Sequence, residues 1–588
     1  MESGKARLMS TRSAPWLICL LVIATSQAIA GERTWRMATT PNYRLISQLN
    51  ERETAAWMRG FDQFILSTTD VLKIDTRALP PLTVVIFASD KEYTPYKALK
   101  PNGQVAPIAG QFVWRPTWSM IGMGNASVDD ESRRTIYHEA THWLMSADEA
   151  RQPAWFAEGI AEMFSTFERR GDKVNWAKPI TNHLLLLNGG GEIPLAQFLI
   201  EPSALFDRDD RTSRFYAQAW AFTHFLMFSG SGARRQALLN FLGTYKTKSG
   251  EATVEAVFGP TLNDVERDFR DYVQRRSWNY MIQPVKPAAD PPALQPAPAA
   301  FVEGSLGFLA LGAHRLDVAR RHAQKAIEVD ANAPEGHAVL AYLAAEDDDF
   351  DAAVTQAEAA LERGSKDAAL FILIGDSYLK GRNSQKPDAK KTRVTMYEKA
   401  INLSPRRLNT YERLAESLFV LENPREEDAK FLSLGRRAFP GEDWLRVGEA
   451  VVDYRLGRRE AATTTLDDVL LPESTLDGAQ RAFAASTRRA WLAEAMRLEV
   501  EAAVNKDDFA GARAVVVRYR ERSGGDTEMA SFLDEVDSGL ELGDLMRRYE
   551  VAVRAKKNSE ARALADQLLA RPNLPGNLRK HLEKSLGR

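Results

Sequence analysis

A chain of 588 residues is too long for one hydrophobic core, and the usual span of about 100 to 200 residues per domain implies about three or four. Its 44% hydrophobic and 27% charged content is ordinary for a globular protein. The formal net charge of -2, with no polybasic run, excludes an electrostatic case for nucleic acid or an anionic membrane as partner.

Residues 1–30 read as a signal peptide. Lys5, Arg7 and Arg12 form a basic start, Ala14 to Ala24 an apolar core, and Ala28-Ile29-Ala30 a cleavage site. The core is shorter than the roughly 20 residues of a spanning helix, so no stable membrane span is expected after cleavage. The protein should be exported, to a bacterial periplasm or beyond. Cys19, the only cysteine, lies inside this leader after Leu17-Ile18, a poor setting for lipidation. Any metal in the mature chain must then be held by His and carboxylate side chains.

Residues 31–281 alternate short apolar runs with longer helical ones, an α+β pattern. Arg36 to Ser47 and Leu82 to Ala88 read as strands, and Phe112 to Met123 as a strand pair or edge strand. Thereafter the segment reads as helical. Ser127 with Asp130 is a capping signature for a helix running to about Met145, and Pro153 can sit in the first turn of the next one.

The first of these helices carries His138-Glu139-Ala140-Thr141-His142. Residues four apart share a helix face, so both imidazoles can meet one metal; a pair of satisfied core histidines would also fit. Sixteen residues on, Glu158 within Trp155-Phe156-Ala157-Glu158-Gly159-Ile160-Ala161-Glu162 can supply a third ligand. Two imidazoles and a carboxylate favour zinc and leave one tetrahedral position open, which marks a catalytic site. Glu139 points to that open side as general base. Glu162, one turn beyond Glu158, can orient a ligand imidazole; a solvated surface glutamate fits there too.

Between Gln283 and Ala300 lie six prolines among alanines. This composition predicts an extended linker, 282–300, with no packed element, and two halves that fold separately. Beyond it Ala319, Ala323 and Ala326 recur 34 residues later as Ala353, Ala357 and Ala360, as do Gly307, Ala341 and Gly375 in a second register. That is the tetratricopeptide period, and it implies a repeat solenoid over 301–588, degenerate after about 440. Segments beginning at Arg459, Phe509 and Ser559 look like second helices of later units.

Together the H-E-x-x-H run and the W-F-x-E-G-x-A-E segment resemble the gluzincin metallopeptidases, particularly the bacterial peptidase-MA-like group often joined to tetratricopeptide repeats. The resemblance covers about Arg36 to Tyr280. It implies a zincin-like α+β domain in which His138, His142 and Glu158 hold Zn2+, Glu139 is catalytic and Glu162 holds a ligand His. It also implies a strand above the metal that binds substrate backbone, with Trp118 to Met123 the candidate by order. Tyr216, in Arg214-Phe215-Tyr216-Ala217, resembles the family's downstream oxyanion-binding tyrosine; a packed aromatic fits the same position, and His224 and His183 are the runners-up.

The function expected is an exported zinc endopeptidase acting on peptides or unfolded protein, with the repeats recruiting substrate or partner. A catalytically silent zinc scaffold is the rival from another class. An aminopeptidase is the rival enzyme, disfavoured because no G-x-M-E-N segment is present.

Overall fold

The computed structural model describes residues 34–587 except 101, 107, 109, 116, 125–129, 147–151, 191, 201–208, 231, 246–261, 380, 381 and 573. The leader with Cys19 and the cap at Ser127 lie outside the described residues.

A six-stranded sheet organises the N-terminal half. Its strands are β1 (Arg36–Thr39), β2 (Tyr43–Ser47), β3 (Leu82–Phe87), β4 (Gly110–Arg115), β5 (Trp118–Gly124) and β9 (Gln295–Pro296), in the order β4-β5-β3-β2-β1-β9. The β2, β3 and β5 strands run parallel, while β4 and β1 are antiparallel to their neighbours. The run from Arg36 to Ser47 is thus a hairpin rather than one strand, because Pro41-Asn42 turns the chain between Thr39 and Tyr43.

Strand alternation sends side chains to two different cores. On one face Leu45, Leu82, Val84, Ile86, Ile121 and Met123 meet helices α1 (Glu51–Leu72) and α3 (Asp130–Met145), with the short α2 (Asp90–Tyr93) at the sheet end. The same core takes in α4 (Ala154–Ser165), α5 (Thr181–Asn188), α6 (Leu195–Ile200), α7 (Asp209–Phe228), α8 (Ala233–Tyr245) and α9 (Leu262–Val273). The α1 helix is fixed at its start by an Asn50/Glu53 capping box, and Phe64 stacks on Tyr137 of α3 at 4.4 Å.

The reading of everything after Met123 as helical is corrected by a small second sheet. Here β6 (Glu168–Arg170) and β7 (Lys173–Trp176) form a hairpin, and β8 (Met281–Pro284) pairs with β7. Gly171, at φ 61°, supplies the left-handed residue this tight turn requires.

The Pro/Ala-rich stretch is corrected too, since it packs at both ends. Met281 to Pro284 forms β8, and Gln295–Pro296 pairs with β1. Proline lacks a donor, and both strands are sheet edges, where that loss is tolerated.

The halves also share a core. Helix α10 (Ala299–Gly312) lies on the second face of the sheet with α11 (Leu316–Val329) and α12 (Pro334–Glu346). Ile46, Val85, Phe87, Val113 and Met120 of the sheet pack there with Leu306, Leu309, Val318, Val339 and Leu343. Two glycines set the approach. A Cβ on Gly122 would stand 2.7 Å from Leu309 Cδ1, and one on Gly312 would stand 2.2 Å from Val113 Cγ1. Polar ties reinforce the seam: Tyr96 Oη to His322 Nε2 at 2.9 Å, and Thr117 Oγ1 donating to Asp367 Oδ1 at 2.5 Å. The expected independence of the halves therefore fails, because the sheet needs the first repeats as its second layer.

Helical hairpins continue from there. After α13 (Phe350–Glu362) come α14 (Ala368–Ser377), α15 (Ala389–Leu403), α16 (Leu408–Phe419), α17 (Glu426–Ala438), α18 (Asp443–Arg455) and α19 (Arg459–Val469). The last are α20 (Gly478–Val504), α21 (Phe509–Arg522), α22 (Thr527–Arg554), α23 (Asn558–Leu569) and α24 (Gly576–Ser585). The 34-residue register falls at helix contacts: Ala319, Ala323 and Ala326 on α11 and Ala353, Ala357 and Ala360 on α13 are fully buried. A Cβ on Gly375 would sit 2.6 Å from the Tyr397 ring. The three later segments open α19, α21 and α23, while α20 and α22 extend to 27 and 28 residues and break the regular unit. Among the described residues, no helix is long and apolar enough to cross a membrane.

Candidate metal centre

The α3 helix is anchored by the face opposite its histidines. Ala140, Trp143 and Leu144 are fully buried, and Trp143 Nε1 donates to the Pro80 carbonyl at 3.0 Å. His138, Glu139 and His142 are left on the face toward α4. That helix begins after Pro153, which is its N-cap rather than a first-turn residue. Gly159 then lets α4 lie against α7: a Cβ there would stand 2.1 Å from Thr223 Oγ1 and 2.3 Å from the Ala219 carbonyl oxygen. The glycine of the E-G-x-A-E segment thus seats Glu158 and brings Tyr216, on α7, across from His138, with ring centroids 6.0 Å apart.

His138 Nε2 and His142 Nε2 are 3.2 Å apart, and Glu158 Oε2 lies 3.2 Å from the first and 3.3 Å from the second. Such a triangle fits a metal. A tetrahedron with ligand bonds of about 2.0 to 2.1 Å has edges of about 3.3 to 3.4 Å. The chemistry of the donors agrees. Glu162 Oε1 lies 3.4 Å from His138 Nδ1, which places the ring proton there and leaves the Nε2 lone pair facing the triangle. Glu158 Oε2 is buried, faces the two imidazole nitrogens and meets no other polar group among the described residues, so three donor atoms converge on one point. Without a metal, protons must serve. Burial alone would lower the His138 imidazole, but hydrogen bonds to Glu158 and Glu162 outweigh it and lift it to about 10. Burial alone would raise the Glu158 carboxyl, and the bonds from His138 and His142 hold it at about 2.

Glu139 stands beside the triangle with no part in it. Burial raises its carboxyl above the ordinary range, with His138 and His142 opposing. It lines a cleft of about 320 Å³ together with His138, Glu162, His183, Arg134 and Tyr216. The Tyr216 phenol is pushed well above its usual value by burial and by the charges of Glu158, Glu139 and Glu162, so it stays protonated as a donor.

Two residues of the site carry roles that their sequence positions did not give. His183 Nε2 lies 3.2 Å and Arg134 Nη2 3.4 Å from Glu162 Oε2, so both hold the carboxylate that orients His138. Arg134 is one turn before His138 on the same helix face, a signal that spacing alone contains. His183 comes from α5, and nothing local announces it. His224 is not brought to the cleft: its ring bonds Tyr272 Oη at 2.9 Å and the carbonyl oxygens of Ala177 and Asn279.

The strand above the metal needs correction. Both edges of Trp118 to Met123, in β5, are occupied, by β3 and β4. The open edge belongs to β4, with which no other strand pairs among the described residues. Its start lies against α3, since a Cβ on Gly110 would be 3.9 Å from Ile136.

No family model matches the chain, and no curated protein matches it. Among solved structures the chain is similar to YrrB, a TPR protein with an unusual peptide-binding site, at 18% identity and TM-score 0.27, over 32% of this chain and 92% of that one. PilF of Pseudomonas aeruginosa is similar at 18% identity and TM-score 0.23, over 40% of this chain and 97% of that one. Yeast Tom70 is similar at 13% and 0.21, over 72% and 85%. Likeness at these scores carries no argument about this chain, whose hairpin array rests on the packing described above.

Proposed function

We propose that the chain is an exported zinc-dependent endopeptidase of the gluzincin type whose tetratricopeptide-like array recruits a protein substrate or partner. The carrying observation is the triangle of His138, His142 and Glu158 at 3.2 to 3.3 Å beside Glu139. These three residues would hold zinc, which when bound polarises a scissile carbonyl and makes water a nucleophile near neutral pH. Glu139 takes the proton of the attacking water and passes it to the leaving amine, a task suited to a carboxyl raised by burial. Tyr216 donates from Oη to the oxygen on which charge develops. Glu162, braced by His183 and Arg134, keeps His138 in the tautomer a ligand needs.

The open edge of β4 is a place where an extended chain can add as a strand, the conformation an endopeptidase substrate takes. The test is cleavage of an unfolded protein by zinc-loaded full chain, by Glu139→Gln and by Tyr216→Phe. Glu139→Gln should lose several orders of magnitude. Tyr216→Phe should lose about 10² to 10³ in kcat with zinc content unchanged. No cleavage by the wild type, or equal cleavage by Glu139→Gln, would leave the silent-scaffold reading standing.

A further inference from the structure

The seam between the sheet and the array holds an acidic group that the metal centre does not use. Asp367 is the N-cap of α14, where its carboxylate accepts from the Ala369 N–H at 3.0 Å. The same carboxylate reaches across the seam. Thr117 Oγ1, in the turn between β4 and β5, donates to Oδ1 at 2.5 Å, and Tyr342 Oη, on α12, donates to Oδ2. Trp118, next to Thr117, packs on Phe308 of α10 with ring centroids 4.7 Å apart and lies 6.3 Å from the Tyr342 ring. Sheet turn, α12 and α14 therefore meet at one carboxyl.

Every partner of that carboxyl is neutral. Of the charged groups around it, Glu346, one turn after Tyr342, lies 3.7 Å from Arg115 and 4.0 Å from His314, and Arg77 pairs with Asp75. Lys366, Arg406 and Arg407 line the hollow that Thr117 and Ala368 also line. Among the described residues none of these cations pairs with Asp367. Burial raises its carboxyl above the ordinary 3.8, with the bonds from Thr117, Tyr342 and Ala369 opposing. The Tyr342 phenol is held well above its usual value by burial and by the Asp367 charge, so it stays protonated. With a proton on Asp367, the carboxyl can donate to one hydroxyl and accept from the other. Without it, a charge sits between two packed layers with no cation to balance it.

We propose that Asp367 is a proton-operated latch, which holds the array to the β4–β5 turn when it carries a proton and loosens that seam when it ionises. The sign follows from the raised carboxyl: its contribution is complete below 3.8 and is lost as pH rises through the folded value. The latch belongs to the seam and does not depend on the hydrolase reading.

The test is hydrogen exchange on the full chain, wild type and Asp367→Asn, read in Trp118–Gly124 and Pro334–Glu346 from about pH 4 to about pH 8 after correction for intrinsic rates. Asparagine keeps the shape and cannot ionise. Relative to it, seam opening in the wild type should grow with pH, by up to about tenfold per pH unit once the carboxyl ionises. Exchange in α20 to α24, remote from the seam, should follow the same pH profile in both. Tyr342→Phe removes a donor to the ionised form, so the onset should move to higher pH, and this arm decides the matter if Asp367→Asn does not fold. Parallel seam profiles in wild type and Asp367→Asn, or an onset that Tyr342→Phe leaves in place, overturns the latch.

Discussion

Removing the repeats should unfold the half that carries the metal ligands. A fragment ending at Gln283 loses β9 and all of α10 to α12, and uncovers Ile46, Val85, Phe87, Val113 and Met120, each no more than 6% exposed in the full chain. At about 1.5 to 3 kcal/mol for each large apolar side chain, the loss is roughly 10 kcal/mol. A whole domain is stable by only about 5 to 15 kcal/mol, so the truncated sheet should not hold. A fragment ending at Glu362 makes the contrast. It keeps the second layer, and its cut seam holds the small Ala338, Ala341, Ala357 and Ala360 with Phe308, Tyr342, Val354 and Leu361, which are only partly buried in the full chain. Urea unfolding, dye binding to exposed apolar surface and gel filtration of the two fragments provide the assay. The longer should show one cooperative transition, and the shorter should bind dye and aggregate. Equal urea midpoints would refute the argument that the repeats are a structural layer of the N-terminal half.

Gly159→Ala drives a methyl into the Ala219 carbonyl and should cost at least ~2 kcal/mol, lower the melting temperature and weaken zinc retention, since α4 and α7 part together. A melt and zinc content like the wild type's would show that the glycine is dispensable. At the turns inside the helix pairs, His314, Asp348, Gly457, Asp507 and Lys556 all have φ between 53° and 90°. Gly457→Ala should therefore destabilise by ~1 kcal/mol and Asp348→Gly should act in the opposite direction, both read as urea midpoints; a neutral Gly457→Ala would contradict this. Burial holds the His224 imidazole down at about 4 against an ordinary 6.5, so it folds neutral. Its contribution is complete above pH 6.5 and is lost as pH falls toward 4, ~3 kcal/mol over that window. His224→Gln should flatten the decline in stability between pH 7 and 5, and an unchanged decline would place the acid sensitivity elsewhere.

The candidate ligands were legible because their spacing is local. His138 and His142 are one turn apart, and Glu158 and Glu162 repeat that interval on the next helix, so helix geometry alone sets each pair on one face. The repeat register was legible for a related reason, small residues being obligatory where helices touch at Ala323 or Gly375. Contacts made across the chain left no such mark. His183 reaches Glu162 only through the placement of α5, and Gly122 and Gly312 look ordinary until α10 is laid on the sheet. The proline-rich stretch misled because composition reports chain stiffness, whereas an edge strand asks only that the missing N–H face away from its partner. Strand order was likewise beyond a local pattern: β5 follows β4 in the chain, yet β4 holds the open edge.

Metal stoichiometry across a set of single substitutions tests the central claim most directly. If His138, His142 and Glu158 form the site, purified full chain should bind one zinc, His142→Ala and Glu158→Ala should lose most of it, and Glu139→Gln should keep it while losing hydrolysis. A His142→Ala chain that retains one equivalent of zinc, or a wild type that takes up none from excess zinc while folded, would contradict the account.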